Sequence, residues 1–261
     1  MSDPDTSNLD PLRRFSDRVE DYVRYRPSYP AEVVRFLEAK TGLSAKSVVA
    51  DVGAGTGIFT RILLDTGATV FAVEPNDAMR GAAEAEFGRR PNFKSTKGSA
   101  EATGLADRSV TLITCAQAFH WFDPQAAGRE YRRILEQEGW CVLIWNTALV
   151  GGSEFAIGYE RIKGKFGTDF QRIRHDTIEK SGRFDAFFGA GRWGKQAFEN
   201  AQTLDYPGLK GRLLSSSYAP KAGQPRHEAM IADLRGLYDR CQKDGCVRMD
   251  YTTEVFFGRL T

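Results

Sequence analysis

From Val48 onward, short apolar runs of strand length alternate with segments whose apolar positions recur at helical spacing. The runs predict strands at 48–52, 69–73, 92–96, 110–115 and 140–146, with helices near 57–66, 77–87 and 124–136 and a shorter crossover around 101–107. That alternation predicts a parallel sheet with helices on both faces and right-handed connections. Ahead of it, residues 1–12 read as a mobile tail and 15–30 as a helical segment stopped by Pro27 and Pro30. Residues 31–40 have helix spacing, with Val33, Val34, Phe36 and Leu37 on the apolar face and Gly42 as terminator.

After Asn146 the alternation stops. Residues 150–195, rich in glycine, aromatics and basic side chains with weak helical patterns at 154–166 and 169–181, read as an insertion over one end of the sheet. A strand at 196–204, helices at 206–214 and 227–243, and a closing strand at 247–260 complete the chain; the last alternates in the manner of an antiparallel strand. The expectation is one domain over 13–261, an α/β sheet of about seven strands with the last antiparallel, an N-terminal lid at 13–46 and a substrate cap at 150–195.

Composition narrows the class. With 41% hydrophobic and 27% charged residues, the 261-residue chain fits a soluble globular protein, and a net charge of +2 gives it no strong electrostatic reason to seek nucleic acid or an anionic membrane. The polar, acidic start and the lack of a long apolar run predict neither a signal peptide nor a membrane span, hence a cytoplasmic setting. Cys115 and Cys141 lie in strand-like runs, whereas Cys241 and Cys246 lack the companions of a zinc site; all four are expected as reduced thiols, with no metal. His227 reads as a surface residue.

The densest chemistry lies where the first strand, ending on Asp51, runs into glycines at 53, 55 and 57 and then a helix. Glycines there permit a sharp turn and a ligand against the main chain, and the free N–H groups of the helix start favour a negatively charged ligand group. A dinucleotide fingerprint would need glycine at 58, where Ile58 stands, and no Gly-Lys-Ser/Thr follows to make a P-loop. Glu74, at the end of the next strand, is placed to accept from both hydroxyls of a ribose. Asn76 or Asp77 can cap the following helix, and Met79 either packs on a flat heterocycle or belongs to the core.

Taken together, Asp51-Val52-Gly53-Ala54-Gly55-Thr56-Gly57, Glu74-Pro75-Asn76, Gly98-Ser99-Ala100-Glu101 and Gln117-Ala118-Phe119-His120-Trp121-Phe122-Asp123 closely resemble successive motifs of class I S-adenosylmethionine-dependent methyltransferases. Within these they resemble the small-molecule branch that includes the trans-aconitate methyltransferases, over residues 15–146. The resemblance implies a Rossmann-like sheet and S-adenosylmethionine as cofactor. It implies that Gly53, Ala54, Gly55 and Gly57 pass beneath the methionine part with Asp51 near its amino group, and that Glu74, followed by Pro75, holds the ribose. Ser99, Ala100 and Glu101 would line the adenine, though many relatives carry aspartate at the position of Ser99; Gln117 would hold the methionine amine, and Met79 and Trp121 would line the cofactor.

His120 is the general-base candidate, because near-neutral titration suits proton removal during attack; its alternative is a histidine packed among Phe119, Trp121 and Phe122. Tyr22, Tyr25 and Tyr29 with Arg26 suit a lid that closes over a sulfonium and grips a carboxylate, or else a helix packed on the sheet edge. Tyr25 and Arg26 are assigned to the cofactor, and Tyr22, Tyr29, His120, Trp145 and Tyr218 to the acceptor, a small and anionic molecule. Arg172, Arg174, His175, Arg183, Arg192, Trp193 and Lys195 add a basic region that either faces such a molecule or is simply solvated. Two other classes stay open: a cofactor-binding protein without transferase activity, and a nucleotide-dependent oxidoreductase. Nucleic-acid methylation is disfavoured by the modest charge and by the absence of an Asn/Asp-Pro-Pro-aromatic motif at the fourth strand.

Overall fold

The computed structural model describes residues 23–167, 182–216 and 218–260. A seven-stranded sheet has the order β3-β2-β1-β4-β5-β7-β6, with β1 Val48–Val52, β2 Thr69–Val73, β3 Phe93–Thr96, β4 Val110–Ala116, β5 Leu135–Ala148, β6 Trp193–Leu204 and β7 Val247–Gly258. The pairs from β3 to β5 are parallel, and β7 lies antiparallel between β5 and β6. Chain order reverses between β1 and β4, so the carboxyl ends of those strands open on a crevice.

Strand parity separates two cores. On one face Val49, Val70, Leu112, Val142, Ile144 and Val255 pack with helices α1 (Ala31–Thr41), α2 (Ile58–Asp65) and α3 (Asp77–Phe87). On the other face Ala50, Ile113, Cys115, Cys141, Leu143 and Phe256 meet α4 (Pro124–Ile134) and α6 (Arg183–Phe188). Continuous apolar runs thus become strands because both faces are covered. Local signals close the helices: Gly42 ends α1 in the left-handed region at φ 75°, and Asn76 caps α3 by accepting from the N–H groups of Ala78 and Met79.

β5, β6 and β7 carry a third core. There α5 (Glu154–Phe166), α7 (Tyr206–Leu214) and α8 (His227–Cys241) bury Phe155, Ile162, Leu209, Leu213, Leu234 and Leu237 against Val247, Met249 and Tyr251. The stretch expected as one cap therefore divides, since α5 joins this satellite while the aromatic run of α6 enters the main core. β5 starts five residues before its apolar run, with a bulge between the Val110 and Leu112 pairings that lets the polar residues after Leu135 join the sheet. His227, expected at the surface, is buried and its Nδ1 lies 2.8 Å from the Pro220 carbonyl. The tail, Tyr22, the helical pattern at 169–181, Arg172, Arg174 and His175 lie outside the described residues.

Candidate active site

The turn after β1 is held from beneath. The N–H groups of Gly53 and Ala54 donate to the Val73 carbonyl at 2.9 and 3.2 Å, and Gly57 N–H donates to Ala54 at 2.9 Å. Gly53, Gly55 and Gly57 all have positive φ, at 69°, 59° and 85°. A Cβ on Gly53 would stand 2.5 Å from that of Ala118, and one on Gly57 would stand 2.5 Å from the Phe87 ring. A Cβ on Gly55 would meet nothing closer than Met79 Sδ at 3.9 Å, so this glycine alone fronts open space. The surface it leaves free is main chain.

Asp51 is fully enclosed. It accepts from the hydroxyls of Thr60 at 2.6 Å and Thr114 at 2.8 Å. Burial pushes its carboxyl up to about 6, outweighing those two bonds, so a cation brought beside it would favour the ionised form. Glu74 accepts from Gly55 N–H and from Asn76 N–H, each at 2.8 Å, and burial raises its carboxyl above the usual range despite them. Each carboxylate oxygen keeps a further lone pair, so hydroxyl donors can still be received. The buried Thr56 hydroxyl has no hydrogen-bond partner among the described residues.

A pocket of about 310 Å³, counting its open mouth, is lined by Tyr29, Asp51, Gly53, Ala54, Ile58, Phe59 and Ala116. Tyr29 ends a stretch from Tyr25 that three amide side chains hold by its main chain. Asn146 and Asn200 donate to the Ser28 carbonyl at 3.1 and 2.8 Å, and Gln202 donates to that of Tyr25 at 3.2 Å. Tyr29 sets its ring edge-on to Phe59, with centroids 5.0 Å apart. Tyr25 turns instead onto α7, where a Cβ on Gly211 would stand 2.1 Å from its ring, and Arg26 donates to the Ser215 carbonyl at 2.8 Å. Asn146, Asn200 and Gln202 escape sequence reasoning because isolated amides in strands carry no motif; their shared face is apparent only once the register is known.

The end of β4 closes the other side. Gln117 has φ 60° and donates its side-chain amide to the Asn146 carbonyl at 3.0 Å. The short 3-10 turn Phe119–Trp121 then places His120 beside Trp121, centroids 4.9 Å apart, while Phe119 is buried on Phe187. Phe122 and Ala118 abut Gly53, so this segment lies against the turn. Farther along, Ser99 turns its hydroxyl to the N–H of Glu101, Ala100 is buried, and Glu101 accepts from Asp123 N–H at 3.0 Å. Ser99 and Glu101 thus brace their own loops and leave main chain as the available surface.

Trp145 requires correction as an acceptor residue. It is 1% exposed and packs among Phe119, Phe184 and Phe256, because its parity on β5 is that of the opposite core. Three residues of the basic region do structural work: Arg183 donates to the Phe122 carbonyl at 3.0 Å, Lys195 pairs with Glu254 at 2.8 Å, and Trp193 donates to Asp185 at 2.8 Å. Tyr218 lies half-buried after α7. Among the described residues no group of three or more His, Cys, Asp or Glu could hold a metal ion, and no helix is long and apolar enough to cross a membrane.

A glycine turn at the point where strand order reverses, with a buried carboxylate at the next strand end, is an arrangement suited to a nucleoside-containing ligand. Residues 50–143 match the family model of the methyltransferase domain. An uncharacterised methyltransferase-like protein of Schizosaccharomyces pombe is 36% identical over 253 residues, 94% of each chain. An uncharacterised methyltransferase of Mycobacterium tuberculosis is 38% identical over 141 residues, 54% of this chain and 55% of its own. The chain belongs to the methyltransferase family. In fold it is similar to a candidate type II methyltransferase from Anaeromyxobacter dehalogenans, with TM-score 0.67 and 21% identity over 90% of this chain and 98% of that one. Geranyl diphosphate C-methyltransferase of Streptomyces coelicolor, solved with S-adenosylhomocysteine, has TM-score 0.51 and 15% identity over 99% and 100%.

Proposed function

We propose that the protein transfers a methyl group from S-adenosylmethionine to a small-molecule acceptor. The observation that carries this reading is the open main-chain surface at Gly55, flanked by Glu74 and the unpartnered Thr56 hydroxyl. The cofactor, when bound, supplies a methyl already activated on a sulfonium. The main chain from Gly53 to Gly57 leaves room for the methionine part; Asp51 faces its ammonium; Glu74, beside Pro75, receives the ribose hydroxyls; Met79 and the main chain of Ser99, Ala100 and Glu101 border the base. Tyr29 shields the pocket from water, and Gln117 with Asn146 orients the strand end on which His120 and Trp121 stand. Positioning and water exclusion account for most of the rate, and His120 takes the acceptor proton where the nucleophile carries one. The sequence likeness to the small-molecule branch supports a small acceptor, and the four free thiols support a cytoplasmic setting.

Calorimetric titration tests the reading: S-adenosylhomocysteine binds at one site per chain, and NADH does not. Binding of NADH in its place would return the protein to the oxidoreductases. With an acceptor in hand, His120→Ala retains S-adenosylhomocysteine affinity and loses most turnover; unchanged turnover removes the base role and leaves positioning alone.

A further inference from the structure

The satellite core contains a guanidinium without an acid. Arg212, on α7, is half-buried, and its side chain bonds neutral oxygens: Nε to the Tyr251 hydroxyl at 3.3 Å and Nη1 to Ser216 Oγ at 3.5 Å. Among the described residues it forms no ion pair. The phenols of Tyr251, Tyr159 and Tyr218 are among the ionisable groups that act on it. Burial raises the Tyr159 phenol well above its usual range, so at neutral pH it offers a hydrogen rather than a charge.

Tyr159 supplies an independent observation. It is 4% exposed, and its hydroxyl has no hydrogen-bond partner among the described residues. Arg212 is the charged group with the largest influence upon it. A half-buried guanidinium with no ion pair among the described residues stands near a buried phenol with no acceptor among them, and the phenol is costly because its donor is left unpaired in a medium that screens little. One incoming oxyanion would satisfy both. Arg26 stands at the same place, bonded to Ser215 three residues along from Arg212, and its field also reaches Tyr159.

We infer that Arg212 and Tyr159, with Tyr251 beside them, form a partly buried subsite for an oxyanion, a carboxylate or a phosphate, carried by the methyl acceptor. The inference rests on the transferase reading for the role of that anion, and on the satellite core alone for its existence. The stretch from Arg26 to Tyr29 links the two sites: one end is bonded beside Arg212 and the other lines the pocket at Gly53. An acceptor anchored by its anion lies along this stretch, with its uncharged end directed to the donor pocket.

The test is thermal unfolding of the full chain at saturating S-adenosylhomocysteine, with glutarate, inorganic phosphate or uncharged glutaramide titrated in at matched ionic strength. A saturable rise in melting temperature is expected with glutarate or phosphate and none with glutaramide, and which anion acts identifies the oxyanion. Arg212→Gln and Tyr159→Phe should each weaken that response about tenfold or more, the range expected for a bond to a charged group. Tyr159→Phe removes a hydroxyl that bonds nothing among the described residues, so the unliganded variant should unfold no lower than the parent, which separates anion binding from folding. Equal responses in parent and variants, or no anion response while S-adenosylhomocysteine binds, overturn the subsite. If S-adenosylhomocysteine itself fails to bind, the donor reading fails, and the same comparison on the free protein decides the subsite.

Discussion

The turn at Gly53–Gly57 and the cluster around Arg212 are joined by the stretch from Tyr25 to Tyr29, yet they are assembled in opposite ways. The turn and the carboxylate beside it come from one stretch, Asp51 to Asn76, braced from outside by the Thr114 hydroxyl and by packing against Phe87, Ala118 and Phe122, and its key bonds run between neighbouring strands. The arginine cluster draws Arg26, Tyr159, Arg212 and Tyr251 from four separate parts of the chain. The first kind of site is dictated by backbone conformation, which leaves a mark in sequence as glycines at set positions. The second is dictated by side chains that meet only after an antiparallel register has formed, and it leaves none. A donor shared by a family can be bound by the first; an acceptor that varies is accommodated by the second.

The largest expected effect is at the turn itself. Gly53→Ala adds a Cβ 2.5 Å from Ala118 in a residue at φ 69°, which combines left-handed strain with overpacking. Together these cost about 2–5 kcal/mol. Gly55→Ala meets no atom within 3.9 Å and costs only the conformational strain, about 1–2 kcal/mol. The two variants therefore split: Gly53→Ala is expected to unfold much earlier in urea, whereas Gly55→Ala stays folded and loses S-adenosylhomocysteine binding because its methyl occupies the ligand side. If Gly55→Ala bound normally, the open surface would not be the donor site.

The same contrast sets what was legible in the sequence. Strands at 48–52 and 69–73 and helices at 77–87 and 206–214 appear where the apolar spacing puts them, since burial on both faces makes strands continuous and caps such as Asn76 and Asp205 mark helix starts. Trp145 was misplaced by parity: it shares a strand end with Asn146 but points to the opposite face, and alternation along a strand end cannot tell the two faces apart without a register. The role of Arg212 was invisible because its surroundings are tyrosines from β7 and α5. The division of the insertion was likewise hidden, since Phe184, Phe187 and Phe188 look equally suited to a cap or a core.

A pH titration sharpens the comparison next, because the buried acid belongs to the turn and the buried base lacks an acid. The Asp51 carboxyl moves from the usual 3.8 to about 6 on folding, so the folded state holds the proton more tightly. Its contribution is fully present below pH 3.8 and is lost as pH rises through about 6. That gap corresponds to about 3 kcal/mol. Relative to Asp51→Asn, the parent should lose up to this much stability between pH 4 and pH 7 in denaturant unfolding, and S-adenosylhomocysteine should restore part of it through its ammonium. A parallel pH dependence in the two proteins would mean that Asp51 is already ionised in the empty fold.

Glu74→Gln comes third in size. The amide cannot accept from all the donors that the carboxylate meets, so one of the N–H groups of Gly55 or Asn76 is left facing an NH₂ or a ribose hydroxyl loses its acceptor. Loss of a charge-assisted bond is worth about 1.5–3 kcal/mol, a decrease in S-adenosylhomocysteine affinity of roughly tenfold to a hundredfold by calorimetry. The anion response of the arginine cluster should be untouched. If Glu74→Gln weakened both, the two sites would be energetically coupled rather than merely linked by a shared stretch of chain.

The smallest effect tests that link directly. Asn200 donates to the Ser28 carbonyl at 2.8 Å, but Asn146 donates to the same carbonyl at 3.1 Å, so Asn200→Ala leaves the stretch one of its two bonds at that point. Asn200 also donates to Asn146 Oδ1 at 3.1 Å, so the cost to global stability should be about 1–3 kcal/mol, the usual net worth of two hydrogen bonds. Its local consequence is the more informative measurement, because hydrogen exchange at residues 25–29 reports opening of that stretch independently of global unfolding. Faster exchange there, with a few-fold loss in both S-adenosylhomocysteine and glutarate response, is expected if this stretch aligns donor and acceptor ends together. Faster exchange with both affinities unchanged would reduce it to a surface tie, and the arginine cluster would then have to orient its ligand without help from the donor pocket.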